Sequence, residues 1–268
     1  MIKSIHGVTN EPFNRNKLTL LYQQKEILDI IKIHAQQGGF SVIVGEPGVG
    51  KTVLKEHIEQ LDNQRDMTVA SCSRTLHTYW QILTQLADSF KLDVPEKSLE
   101  KELIKAAFNH IKERKTLYIL VDEAHLLDMP VLRKLRLLFE QFPKMHNLVL
   151  FGQRDLFHYL SLNINQDIKS RITYSATLKP LNNDDMERYI VKELEAARMG
   201  INTFDPAAIE LILRSAQGNL RLCRNLCYGS LIEAARETQK VVTITHVNGV
   251  LVQPHWRTHQ ELIKQQVA

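Results

Sequence analysis

Phe40-Ser41-Val42-Ile43-Val44, followed by Gly45-Glu46-Pro47-Gly48-Val49-Gly50-Lys51-Thr52, decides the fold of this chain. The second segment is a complete G-x-x-x-x-G-K-[ST] phosphate-binding loop, and the first is an apolar run that reads as a buried strand leading into it. Val53-Leu54-Lys55-Glu56-His57-Ile58 continues as a helix. Glycines let the backbone curl until its N–H groups face phosphate oxygens, and the helix behind adds its positive N-terminal end. The motif gives Lys51 to the β- and γ-phosphates and the Thr52 hydroxyl to Mg²⁺. The whole run Gly45, Glu46, Pro47, Gly48, Val49, Gly50, Lys51, Thr52, Val53 is thus expected to hold ATP.

Leu117-Tyr118-Ile119-Leu120-Val121 is a second β-rich apolar run, and it ends in Asp122-Glu123. It reads as a buried parallel strand with two carboxylates at its C-terminal end, where ligands sit in open α/β sheets. Asp122 is expected to hold Mg²⁺ and Glu123 to orient the attacking water. Phosphoryl transfer needs mainly positioning and charge neutralisation, so this pair is a sufficient catalytic core. An N-capping Asp after a strand is the alternative, and the phosphate loop argues against it.

The 268 residues allow one α/β domain plus a small helical one, and 44% apolar with 24% charged residues fits a globular protein. No stretch approaches the ~20 apolar residues of a membrane span, and the N-terminus lacks the apolar core of a secretion signal. Cys72, Cys223 and Cys227 suggest neither a disulfide framework nor a zinc site, so a reducing cytoplasm is expected, with no membrane partner. Net charge is +4; residues 181–268 carry 10 basic and 10 acidic residues, so the excess lies in 1–180. That permits nucleic-acid binding without requiring it.

Strands are expected at 67–72, 117–121, 147–152 and 172–178 besides the one before the loop. Helices are expected at 18–35, 76–90, 99–112 and 131–142, with Pro130 at a first-turn position. Strands alternating with helices predict a parallel sheet flanked by helices. Residues 1–16 read as an irregular arm, 17–180 as the α/β nucleotide-binding domain, 181–252 as a helical lid and 253–268 as a polar tail. In the lid, Asp184, Asp205 and Thr245 are expected as N-caps, and Gly200 and Gly218 as helix stops.

The chain resembles the AAA+ P-loop ATPases over roughly residues 10–250, and within them the ExeA-type branch that includes transposition helpers of the TniB, MuB and TnsC kind. The resemblance rests on GEPGVGKT (45–52), TLYILVDEAHLL (116–127), LVLFGQRDL (148–156), SRITYSATLKPL (170–181) and GNLRLCRNL (218–226). It implies three further roles. Gln153 matches the sensor-one polar residue, with an ordinary loop amide as the alternative. Arg171 is similar in placement to the arginine finger that one subunit inserts into its neighbour's site; an exposed ion pair is the alternative, and Arg154 competes for the role. Arg221 matches the sensor-two arginine of the lid. An arginine acting in trans implies a homo-oligomer, ring or filament, held together by shared nucleotide.

Asp122-Glu123-Ala124-His125 also spells a DEAH helicase box, but the 90 residues after Leu178 read as a lid rather than a second helicase domain. The resemblance implies assembly on duplex DNA in support of a transposase. Arg74, His77, Tyr79 and Trp80, and Arg133, Lys134 and Arg136, are the expected DNA contacts, with a solvated basic face as the alternative for both groups. Phosphate contacts of this type are largely sequence-blind and salt-dependent. Assembly of a secretion machine is the second expectation. Members of that kind carry a membrane span and a wall-binding domain after the ATPase, and the chain ends at Ala268 with neither, which favours transposition. The tail, with Trp256, Arg257 and His259, reads equally as a docking arm or as unstructured.

Overall fold

A computed structural model describes residues 2–8, 10–13, 20–63, 66–72 and 78–253, apart from the side chain of Asn63. Arg74, His77 and the tail from Pro254 onward lie outside the described residues. The chain divides into two compact units: Leu18–Lys179, and Met1–Lys17 together with Pro180–Ala268.

The larger unit is a parallel sheet with helices on both faces. Its strands are β1 (Gly39–Gly45), β2 (Met67–Cys72), β3 (Thr116–Val121), β4 (His146–Gly152) and β5 (Tyr174–Leu178). They form a five-stranded sheet in the order β2-β3-β4-β1-β5. Its helices are α2 (Tyr22–Ala35), α3 (Lys51–Gln60), α4 (Tyr79–Ser89), α5 (Leu99–Lys112), α6 (Met129–Phe139), α7 (Asp155–Ser161) and α8 (Gln166–Lys169). Every residue of β1 and β4 is buried, as continuous apolar runs in the centre of a doubly covered sheet require. Alternate residues feed two cores. Val42, Val44, Leu117, Ile119, Leu148 and Leu150 pack on one face, and Ile43, Tyr118, Leu120, Val149 and Phe151 on the other.

Buried polar side chains tie elements of this unit together. The Ser41 hydroxyl donates to Asn147 Oδ1 at 3.0 Å, and Asn147 Nδ2 donates to the Ile31 carbonyl at 2.8 Å, tying β1, β4 and α2 together. Thr78 caps α4 by accepting from Gln81 N–H at 3.3 Å. Pro130 stands in the first turn of α6, but that helix ends at Phe139 rather than Phe142. Phe142 is instead buried against Phe139, with ring centroids 4.7 Å apart.

The smaller unit is helical: α1 (Ile2–His6), α9 (Asn183–Ala196), α10 (Pro206–Ala216), α11 (Leu220–Arg236) and α12 (Ile244–Leu251). Residues 2–6 are helical rather than irregular, and Ile2 and Phe13 are buried in this unit's core beside Met186, Phe204 and Cys223. Three caps differ from expectation. Asn182 caps α9, accepting from Asp185 N–H at 2.7 Å, because it stands one position ahead of the first helical residue, whereas Asp184 lies inside the first turn. Thr243, not Thr245, caps α12, its own N–H donating to His246 Nδ1 at 2.9 Å. Arg198, with φ 59°, takes the left-handed position after α9, while Gly200 has an ordinary φ of −69°. Asp205 caps α10 as expected, and Gly218 follows it at φ 81°, where a Cβ would meet the Leu181 carbonyl at 2.5 Å.

Candidate functional site

Register shows which groups meet. β4 lies between β1 and β3, with Val44 opposite Gly152 and Val121 opposite Leu150. Gly45 and Asp122–Glu123 therefore leave the same C-terminal edge of the sheet, two strands and about 10 Å apart. The phosphate-binding loop and the acidic pair share one edge because all three strands run parallel.

The loop has the backbone its sequence implies. Gly48 and Gly50 have φ of 87° and 103°, values open to glycine at no steric cost. A Cβ on Gly45 would come within 2.8 Å of the Leu178 carbonyl. Gly50 precedes α3 without a side-chain cap, so the first N–H groups of a three-turn helix are not taken up by a capping side chain. Lys51 is 8% exposed, and its ammonium donates to the carbonyls of Gly45 (2.6 Å) and Glu46 (2.9 Å). Thr52 stands exposed in the first turn of α3.

Two contacts in this region are not visible in any motif. Gln24, 1% exposed on α2, donates to the Gly50 carbonyl at 3.0 Å and accepts from Leu21 N–H at 2.9 Å. Lys55, one turn beyond Lys51, is 4% exposed and lies 3.3 Å from Asp122 Oδ2 and 3.6 Å from Glu59. Asp122 Oδ1 accepts from Glu123 N–H at 2.9 Å. Glu123 adopts φ 50°, ψ 35°, a left-handed conformation uncommon for a residue with a side chain. Its carboxylate is half-exposed, with Oε2 3.3 Å from His125 Nδ1.

These residues fit ATP with Mg²⁺. The loop offers uncapped N–H groups and a buried ammonium, while Thr52 and Asp122 offer the hard oxygen donors that Mg²⁺ takes. Among the described residues no group of three or more His, Cys, Asp or Glu side chains could hold a metal. A Mg²⁺ at Thr52 and Asp122 would thus complete its shell from phosphate and water, as is usual for this ion.

The remaining candidates are spread more widely. Gln153 follows β4 directly and is half-buried. Arg154 Nη2 lies 3.3 Å from Glu46 Oε1 on the loop. Arg171 precedes β5 at the opposite edge of the sheet and bonds Glu140 Oε1 at 2.9 Å. Seven residues at about 3.3 Å each separate its level from that of Leu178, which pairs with Gly45, so Arg171 cannot reach the loop of its own chain. Arg221 is exposed at the start of α11 in the smaller unit.

The described residues among the expected DNA contacts differ in exposure. Tyr79 is 7% exposed and packs in the core. Arg133 is engaged by Asp167 at 3.2 Å, the Ile164 carbonyl at 2.8 Å and Asn165 Oδ1 at 2.8 Å. Arg136 is mostly buried and bonds Glu140 at 3.2 Å. Helical periodicity turns these side chains toward protein partners. Lys134 is exposed, with Nζ 5.5 Å from the Tyr79 ring centroid, and Trp80, whose ring lies 5.8 Å from that of Tyr79, is 47% exposed.

Residues 33–160 match the AAA domain family. The chain is 29% identical over 256 residues to the General secretion pathway protein A of Aeromonas hydrophila; the match takes in 90% of this chain but only 46% of that relative's length. Among solved structures, the Aeropyrum pernix ORC2 protein superposes with a TM-score of 0.72 at 15% identity, over 93% of this chain and 73% of that one. A chain of the Drosophila ORC bound to DNA gives 0.67 at 20% identity, over 97% of this chain and 66% of that one. Among the described residues no helix is long and apolar enough to cross a membrane. The chain has the P-loop AAA+ fold, a five-stranded parallel sheet flanked by helices and followed by further helices.

Proposed function

We propose that this chain hydrolyses ATP with Mg²⁺ and that its subunits assemble around shared nucleotide. The observation that carries the reading is the common sheet edge of the phosphate-binding loop and the Asp122–Glu123 pair. Lys51 and the loop N–H groups hold the phosphates, and Thr52 and Asp122 hold the metal. When bound, the metal neutralises charge that builds on the phosphate oxygens. Glu123, half-exposed and held in a left-handed backbone conformation, orients and polarises the attacking water. Gln153 and Arg221 contact the γ-phosphate, and Arg171 serves a neighbouring subunit's site. Glu123→Gln is expected to keep ATP binding and lower turnover by about 10²-fold or more. Normal hydrolysis by that variant would remove the assignment.

The assembly is proposed to form on duplex DNA in support of a transposase. A relative of the same fold was solved on DNA, and Trp80 with Lys134 offers a stacking face beside a cation. ATP hydrolysis measured with and without duplex DNA at two salt concentrations tests this. Turnover that rises with DNA, and loses that rise at high salt, supports it. Turnover indifferent to DNA favours the second reading, assembly of a protein complex in secretion. The likeness to the General secretion pathway protein A supports that alternative.

A further inference from the structure

Lys55 is a buried cation that no nucleotide-binding motif calls for. It lies one helical turn past Lys51, and the two ammonium groups have different partners: loop carbonyls for Lys51, carboxylates for Lys55. A buried ammonium is costly unless paired. Asp122 is the nearer partner at 3.3 Å, while Glu59 is farther at 3.6 Å and its side chain is 32% exposed.

Seen from Asp122, the pairing is just as specific. Oδ1 takes the N–H of Glu123, and Oδ2 faces Lys55. We propose that Lys55 is the resident counter-cation of Asp122: it competes with Mg²⁺ for this carboxylate, so that the metal is taken up with nucleotide rather than alone. The inference rests on the proposed role of Asp122 as the metal carboxylate. A dication that shares Asp122 with an ammonium meets like-charge repulsion, strong where water is excluded. Phosphate oxygens add the negative charge that tips the balance toward the metal. Between turnovers Lys55 keeps the carboxylate paired and in one orientation.

The test uses the full chain, freed of nucleotide, as the parent, Lys55→Met and Lys55→Arg. Binding of a fluorescent methylanthraniloyl-ADP is titrated with Mg²⁺, and unfolding temperature is followed with Mg²⁺ alone. Lys55→Met is expected to lower the Mg²⁺ midpoint by about fivefold or more, because a repelling charge has been removed. It is also expected to gain thermal stability from Mg²⁺ alone, which the parent does not. Lys55→Arg should behave as the parent. A purely structural lysine would lower stability without moving the midpoint, so an unchanged or higher midpoint in folded Lys55→Met overturns the proposal. Lys55→Gln serves in its place if the Met variant does not fold. Asp122→Asn separates the two layers. If it leaves the midpoint of the parent unchanged, the reading of Asp122 fails and the proposal with it. If it raises the midpoint while the Lys55 variants do not move it, only the proposal on Lys55 falls.

Discussion

Arg154 Nη2 sits 3.3 Å from Glu46 Oε1, which brings the guanidinium that follows β4 to the lip of its own chain's phosphate-binding loop. Arg171, bonded to Glu140 at 2.9 Å, lies at the far edge of the same sheet. The two arginines considered for the in-trans role thus stand at opposite ends of the strands, Arg154 beside its own chain's loop and Arg171 away from it. Arg171→Ala is expected to cut turnover by ~10³-fold, the scale of a lost arginine finger, and to recover part of it when mixed with Glu123→Gln. Arg154→Ala should show no such recovery. Steady-state ATPase of the single and mixed preparations distinguishes the two, and rescue of Arg154→Ala but not Arg171→Ala would reverse the assignment.

Gln24 holds the Gly50 carbonyl from a helix 26 residues upstream. Gln24→Leu keeps the volume and removes one of the two donors to that carbonyl, which still accepts from Leu54 N–H at 3.2 Å, together with the acceptor of Leu21 N–H, a loss of about 1 kcal/mol. The midpoint of thermal unfolding should fall, and the KM for ATP should rise several-fold while Mg²⁺ dependence stays the same. Unchanged KM and stability would show that the loop does not depend on this contact.

Glu193 gives the smaller unit a pH dependence. Burial pushes its carboxyl up to about 7 from an ordinary 4.5, against the N–H of Phe13 and the charge of Arg224, which pull it down. A carboxyl raised in the folded state binds its proton more tightly there than in the unfolded chain. Its contribution to stability is thus full below about 4.5 and is lost as pH rises through about 7. Glu193→Gln should flatten unfolding temperature against pH over that window and stabilise the protein at pH 8. A parallel decline in the variant would assign the dependence to other groups.

Cys72 should be inert in the native state. It is 1% exposed at the end of β2, and burial pushes its thiol up to about 12, although the nearby Lys55 charge pulls it down. Thiol-reactive reagents attack thiolate, so labelling of Cys72 should follow global unfolding and not precede it. Rapid modification in native buffer, located by peptide mass, would contradict the burial.

Much of the nucleotide site was legible in the chain because its signals are local. A buried strand, a glycine turn and a helix start occupy consecutive residues from Phe40 to Thr52, and Asp122-Glu123 directly end an apolar run. The caps at Asp184, Gly200 and Thr245 were misread because several polar residues compete within one turn, and packing settles which stands at the helix start. Composition does not say which way a helix face turns, so the burial of Tyr79 and Arg136 is not legible in the chain. The helix of residues 2–6 was missed because five residues carry too little periodicity to register; burial of Ile2 and Phe13 beside Met186 and Phe204 comes from partners some two hundred residues away.

By itself, the amino-acid sequence determined the strand–loop–helix that carries the phosphate-loop motif, the acidic pair that follows a second strand, and the alternation that makes the sheet parallel. Those are properties of neighbours in the chain, set by backbone conformation and side-chain period. Tertiary structure alone decided that β4 lies between β1 and β3, that Gln24 reaches Gly50, that Lys55 faces Asp122 and that Glu140 holds Arg171. Each of those pairs elements distant in sequence, and their meeting is fixed by how whole faces bury apolar surface against one another and pair the polar groups left inside.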